Sequence, residues 1–143
     1  MKKFLVIAVL VAGLIALFGR GSPGTGNGGA QLASDQMLAD AYANHSEHLQ
    51  VQGGGHVIAV LPDDREGSRH QRFILRLDSG QTLLIAHNID LASRIDALAE
   101  GELITFSGEY VWNENGGVVH WTHRDPERRH PDGWLQRGGQ LYQ

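Results

Sequence analysis

The stretch Arg69-His70-Gln71-Arg72-Phe73-Ile74-Leu75-Arg76-Leu77, then Asp78-Ser79-Gly80, then Gln81-Thr82-Leu83-Leu84-Ile85-Ala86-His87, decides the fold class. Phe73, Leu75 and Leu77 recur every second residue, while His70, Arg72, Ile74 and Arg76 take the opposite side. A period of two is that of a strand with one buried and one polar face. Asp78-Ser79-Gly80 supplies a short turn, so the two runs predict a β-hairpin.

Working outward, Leu49 to Leu61 reads as a further strand, interrupted at Gly53-Gly54-Gly55, where missing side chains permit a bulge or bend. Pro62-Asp63-Asp64 after it reads as a turn. Glu102 to Trp112 alternates again, with Ile104, Phe106, Tyr110 and Trp112 inward. Asn113-Glu114-Asn115-Gly116-Gly117 then forms a hairpin loop into a returning strand, Val118 to His123. Trp112 and Trp121 read as cross-strand neighbours that fill the interior.

Two segments carry helical spacing. Ser34 is a good N-cap for an amphipathic helix to about Glu47, with Met37, Leu38, Ala41, Tyr42 and His45 on one stripe. Asn88 or Asp90 caps a second, short helix striped by Leu91, Ile95, Leu98 and Ala99 and stopped at Gly101. The expected fold is therefore mainly β: a five-stranded OB-fold-like barrel with a short helix between strands three and four, plus the N-terminal amphipathic helix.

The first thirty residues differ from the rest. Met1-Lys2-Lys3 precedes an apolar run from Phe4 to Phe18, the pattern of a basic n-region and an h-region. The run is about 15 residues, short of the roughly 20 that span a bilayer, and the nearest small-x-small signal, Gly28-Gly29-Ala30, lies well downstream. Removal as a signal peptide and retention as a membrane anchor both stay open; the flanking lysines orient the amino terminus to the cytosol in either case. The predicted organisation is a leader over 1–19, a Gly-rich linker over 20–33 and one domain over 34–143. That organisation predicts a periplasmic or extracellular protein, secreted or held at the inner membrane by residues 4–19.

Charge excludes some functions. Of twelve Lys and Arg, only Lys2, Lys3 and Arg20 precede residue 31, so nine face sixteen Asp and Glu beyond it, a formal balance of −7 (9 minus 16). An acidic domain has no long-range attraction for a phosphate backbone, which disfavours nucleic acid as a partner. The absence of cysteine excludes disulfides, thiolate metal sites and a Cys nucleophile.

Two sets of residues carry candidate chemistry. His70, Arg72 and Arg76 line one strand face and, with His87 and Glu109, make a candidate groove for an anionic or polyhydroxyl ligand, or for an envelope protein partner. His120, His123, Asp125 and His130 cluster near the carboxyl end, and imidazoles with a carboxylate suit a divalent metal, the one cofactor this pattern suggests. Residues three apart on a regular strand point to opposite faces, so His120 and His123 meet only if the chain bends; Asp125-Pro126 could supply the bend. His45 and His48 read as surface residues. A nuclease-like set of Asp63, Asp64, Arg72 and Glu109 has suitable residue types without the spacing. No Gly-x-Ser-x-Gly elbow is present.

The stretch from Gly55 to Trp121 resembles the small OB-fold proteins of the bacterial periplasm. His70-Gln71-Arg72-Phe73, Ala86-His87-Asn88-Ile89-Asp90-Leu91, Gly108-Glu109-Tyr110 and His120-Trp121-Thr122-His123 resemble an uncharacterised bacterial domain-of-unknown-function family of short secreted proteins. The resemblance covers nearly the whole domain and implies no activity. The functional expectation is a non-enzymatic binding or interaction module of the envelope, with a metal-dependent hydrolase built on the C-terminal His/Asp cluster as its rival.

Overall fold

The computed structural model describes residues 26–143. The leader predicted over 1–19 lies outside the described residues. No described helix is long and apolar enough to cross a membrane.

One helix, α1 (Gly26–Ala43), is followed by seven strands: β1 (Leu49–Asp64), β2 (His70–Arg76), β3 (Thr82–Asn88), β4 (Leu103–Val111), β5 (Val118–His120), β6 (Trp134–Arg137) and β7 (Gln140–Tyr142). They form a single sheet in the order β1-β2-β3-β5-β4-β6-β7, in which β1 also pairs with β4. Four of the ladders among the first five strands are antiparallel and β3–β5 is parallel, so the pairings from β1 through β2, β3, β5 and β4 return to β1. The hairpin expected over 69–87 is β2–β3, with Leu75 opposite Leu83 and Phe73 opposite Ile85.

β1 serves both neighbours because it bends. Its first half, Leu49 to His56, pairs with β4, and His56 onward pairs with β2. The glycines make this crowding feasible: a Cβ on Gly53 would meet the Phe106 ring and Leu38, and one on Gly55 would meet the Arg76 carbonyl. The strand runs through Pro62-Asp63-Asp64, which the sequence assigned to a turn, with register shifts that absorb the proline.

The alternation predicted from sequence fills the interior. Phe73, Leu75, Leu83, Ile85, Ile104, Phe106 and Tyr110 are fully buried, and Leu38 and Ala41 of α1 join them. Burial of such side chains, at roughly 1.5–3 kcal/mol each, is the main stabilising term. α1 starts at Gly26, eight residues before the expected N-cap, and ends at Ala43. Ser34 is an interior residue whose hydroxyl donates to the Gln31 carbonyl. The helix stops early because His45 adopts φ 51° and Ser46 N–H closes onto the Ala41 carbonyl, a left-handed C-terminal cap.

The second helix does not form; the residues between β3 and β4 are turns and irregular backbone. Tertiary bonds override the helical spacing there. The Gln71 amide, buried, accepts from Ile95 N–H and donates to Ile95 C=O. The His87 ring bonds the Ser93 carbonyl, and Ala97 sits at φ 51°. These bonds hold backbone groups that a helix would have paired internally. Ile95 still reaches the core, whereas Leu91 is exposed.

β6 and β7 were not legible from sequence. Leu135 pairs opposite Phe106 of β4 and is fully buried, which fixes the C-terminal tail to the sheet edge.

Candidate functional site

β2 places His70 and Arg72 on the outer side of the sheet, because its inner positions are Gln71, Phe73 and Leu75. His120, the last residue of β5, lies on the same side, opposite Glu109 of β4. The returning strand stops here, three residues before its expected end. Trp121 adopts φ 52°, a strained backbone for a bulky side chain. This turn comes before the Asp125-Pro126 bend inferred from sequence, and it brings His120 and His123 to one groove. Gly133 makes the fold-back feasible: a Cβ there would collide with the carbonyls of Trp121 and Ser107.

The groove is about 560 Å³ and is lined by His70, His120, Trp121, His123, Arg129 and His130, with Asn88 and Asp125 at its wall. It adjoins a second hollow of about 310 Å³, which shares His70 and His120 and adds Arg72 and Asp64 over Ala86, Val111 and Val118. Trp121 holds two of the rings: His120 stacks on it at 4.8 Å between centroids and His130 at 4.3 Å. His123 meets His130 edge-on at 5.2 Å. Trp121 thus orders imidazoles at a groove instead of filling the interior, and Trp112 is half-buried, stacked on His45 at 4.0 Å.

Hydrogen bonding fixes how each ring is presented. Nδ1 of His70 lies 2.8 Å from the Ser68 carbonyl, Nδ1 of His123 2.6 Å from the Arg124 carbonyl, and Nδ1 of His130 2.8 Å from the Pro131 carbonyl. A carbonyl only accepts, so each Nδ1 carries hydrogen and Nε2 holds the lone pair of the neutral ring. His120 is reversed: its Nε2 donates to Glu109 Oε1 at 3.0 Å. The same Glu109 oxygen takes Nδ1 of His48, also at 3.0 Å. Glu109 is nearly buried, so the two imidazoles stabilise its charge.

His87 is fully buried under the groove, its Nε2 donating to the Ser93 carbonyl and its Nδ1 bonded to the Thr122 hydroxyl. Burial lowers its pKa to about 4, despite its bond to Ser93, so the ring is neutral at physiological pH. Burial also lowers the His123 pKa, opposed by the Arg124 carbonyl and reinforced by His130 and His70. Asp125 is held below the usual carboxylate range: burial alone would raise it, but the N–H groups of Glu127, Arg129 and His130 outweigh that.

The predicted ligand set is therefore divided. His70 and Arg72 line the joined groove; His87 and Glu109 lie beneath it as supports; Arg76 sits at the other end of β2, exposed, beside His56 and Thr82. The predicted metal set shares the groove without forming a metal centre. Among the described residues, no three His, Asp or Glu side chains are grouped to hold an ion. Asp125 is taken up by backbone N–H groups and His120 Nε2 by Glu109, so two of the four predicted donors are committed elsewhere. Members of the nuclease-like set are engaged with other partners: Asp63 pairs with Arg94, while Arg72 bonds the Pro62 carbonyl.

A family model described as a protein of unknown function, DUF3465, matches residues 27–143. The chain belongs to this family. The match includes every residue of the groove and begins one residue after the first described one, so the shared unit is the folded domain itself. Membership bears out the expected domain-of-unknown-function resemblance and assigns no chemistry. No curated protein matches the chain.

Two features escaped sequence reasoning. The His48–Glu109–His120 bridge joins residues sixty-one and eleven positions apart, with no motif to signal it. The stacking role of Trp121 depends on a left-handed backbone that sequence period does not encode.

Proposed function

We propose that this chain is an exported, non-enzymatic binding module of the cell envelope, which takes an anionic or polyhydroxyl ligand in the joined groove. The carrying observation is the convergence of His70, His120, His123 and His130 on one cavity beside Arg72 and Arg129. Ring nitrogens with fixed tautomers beside an aromatic wall suit a ligand rich in oxygen atoms. The circuit of pairings through β1, β2, β3, β5 and β4 supports the reading of an OB-like barrel, in which this outer face is a known place for ligands. The apolar run from Phe4 to Phe18 supports export.

Catalysis by a bound metal has no support in the donor geometry, which is why binding leads. Thermal-shift and calorimetric screens with acidic peptides, nucleotides and oligosaccharides test the reading. The expected result is a stabilising ligand whose effect is lost in His70→Ala and Arg72→Glu. Ligand binding that survives both substitutions would remove this groove from consideration.

A further inference from the structure

The groove is poor in usable positive charge when its imidazoles are neutral. Arg129 pairs with Glu127 at 3.0 Å, and Arg72 directs Nε and Nη2 to the Pro62 carbonyl. Its carboxylates are committed too. Glu109 receives His48 and His120, Asp90 receives Arg69, and Asp132 receives Asp125 N–H. Asp64, at the Arg72 end, accepts from Glu66 N–H. Asp125 Oδ2 is 3.8 Å from His130 Nε2, yet it already accepts from the N–H groups of Arg129 and His130.

What remains are three rings, His70, His123 and His130, each with Nδ1 tied to a backbone carbonyl and Nε2 left without a hydrogen bond among the described residues. A proton there converts an acceptor into a charged donor without reorienting the ring. From these positions we infer that the groove is a binding site for the oxyanion of a small ligand, a carboxylate, sulfate or phosphate group, which enters together with protons taken up by His70, His123 and His130. The inference rests on the binding reading above and narrows it to one ligand chemistry.

The physical case is one of balance. Three protonated rings around one cavity repel one another, and His123 already feels His130 and His70 in this way. An oxyanion between them removes that repulsion and gains charge-assisted hydrogen bonds, so ligand and proton favour each other's binding. His87 beneath stays neutral until about pH 4 and adds no competing charge. The folded domain carries a formal −7 beyond residue 30, which repels anions at long range; local protonation is what overcomes it.

Sulfate is a suitable probe, because its charge is constant between pH 5.5 and 7.5 and any pH dependence belongs to the protein. The full chain in detergent micelles is titrated with sulfate at both pH values, with imidazole NMR signals and calorimetry in two buffers of different ionisation heat as readouts. Affinity is expected to rise by at least ~10-fold at pH 5.5, with net proton uptake and shifted His70 and His123 resonances. His123→Gln should abolish most of that rise, and the more exposed His70→Gln supplies the same test if the first variant misfolds. Arg76→Gln, at the far end of β2, should change nothing. Equal affinity at both pH values, or binding without proton uptake, would overturn the inference. If neutral oligosaccharides shift the groove resonances while sulfate does not, the anion assignment fails and the binding reading stands. Silence of every groove imidazole toward all probes brings both down.

Discussion

Two irregular segments lie near the groove, and they are fixed in opposite ways. The segment between β3 and β4 is held from outside: Gln71 grips both backbone groups of Ile95, and His87 bonds the Ser93 carbonyl. The segment between β5 and β6 is held largely from within, by Asp125 accepting from Glu127, Arg129 and His130 N–H groups and by the Trp121 stack. The first uses its polar bonds to bring Ile95 into the core; the second uses them to place the His123 and His130 rings along the groove. Buried polar groups that are satisfied rigidify irregular backbone, and which side holds the bonds decides whether the segment packs or exposes chemistry.

His87 touches both segments, through Ser93 of the first and Thr122 of the second, and perturbing it should give the largest effect. Its folded pKa of about 4 lies below the ordinary 6.5. Between those values the unfolded chain binds the proton that the folded one refuses, so stability is present above pH 6.5 and is lost as pH falls toward 4. The loss should approach roughly 3 kcal/mol, visible as a falling urea midpoint, and His87→Gln should flatten that slope. A midpoint independent of pH over this range would show that His87 does not join the segments as a neutral ring.

Gln71→Leu removes the outside grip alone. Two buried backbone groups of Ile95 lose their partners, for an expected cost of about 2 kcal/mol in denaturant unfolding. The β5–β6 segment should keep its hydrogen-exchange protection, because none of its bonds involve Gln71. Asp125→Asn perturbs the other holder. Arg129 and His130 N–H groups should exchange roughly tenfold faster, while Ile95 stays protected. Accelerated exchange in both segments from either substitution would mean that they are one cooperative unit.

The smallest change is a gain. Ala97 holds φ 51° on an exposed turn, where a Cβ is strained, so Ala97→Gly should leave stability level or raise it by up to about 1 kcal/mol. A loss by thermal unfolding would argue that the left-handed turn is not populated in solution.

The hairpin β2–β3 and the inward face of β4 were legible because alternation of two commits a residue to one side of a sheet whatever it pairs with. Helical spacing was less reliable. Leu91, Ile95, Leu98 and Ala99 match a helix, yet nothing in their order reveals that Gln71, twenty-four residues earlier, will take the Ile95 backbone. The candidate site was half legible: histidine density pointed to the right residues, while Arg76, on the same strand face as His70, fell at the opposite end of β2. A strand face gives direction and not distance along the sheet, and the groove is local.

By itself, the sequence determined which residues are apolar at what period, and hence a mainly β domain with Phe73, Leu75, Ile104, Phe106 and Tyr110 inside. It also determined the domain's acidity beyond residue 30, since formal charge needs no fold. Only the tertiary structure decided that Trp121 turns left-handed, that Gly133 lies under its carbonyl, and that His70 from β2 meets His123 and His130 from the far segment. Those are contacts between residues distant in the chain, set by close packing and the pairing of buried polar groups, which local patterning does not contain.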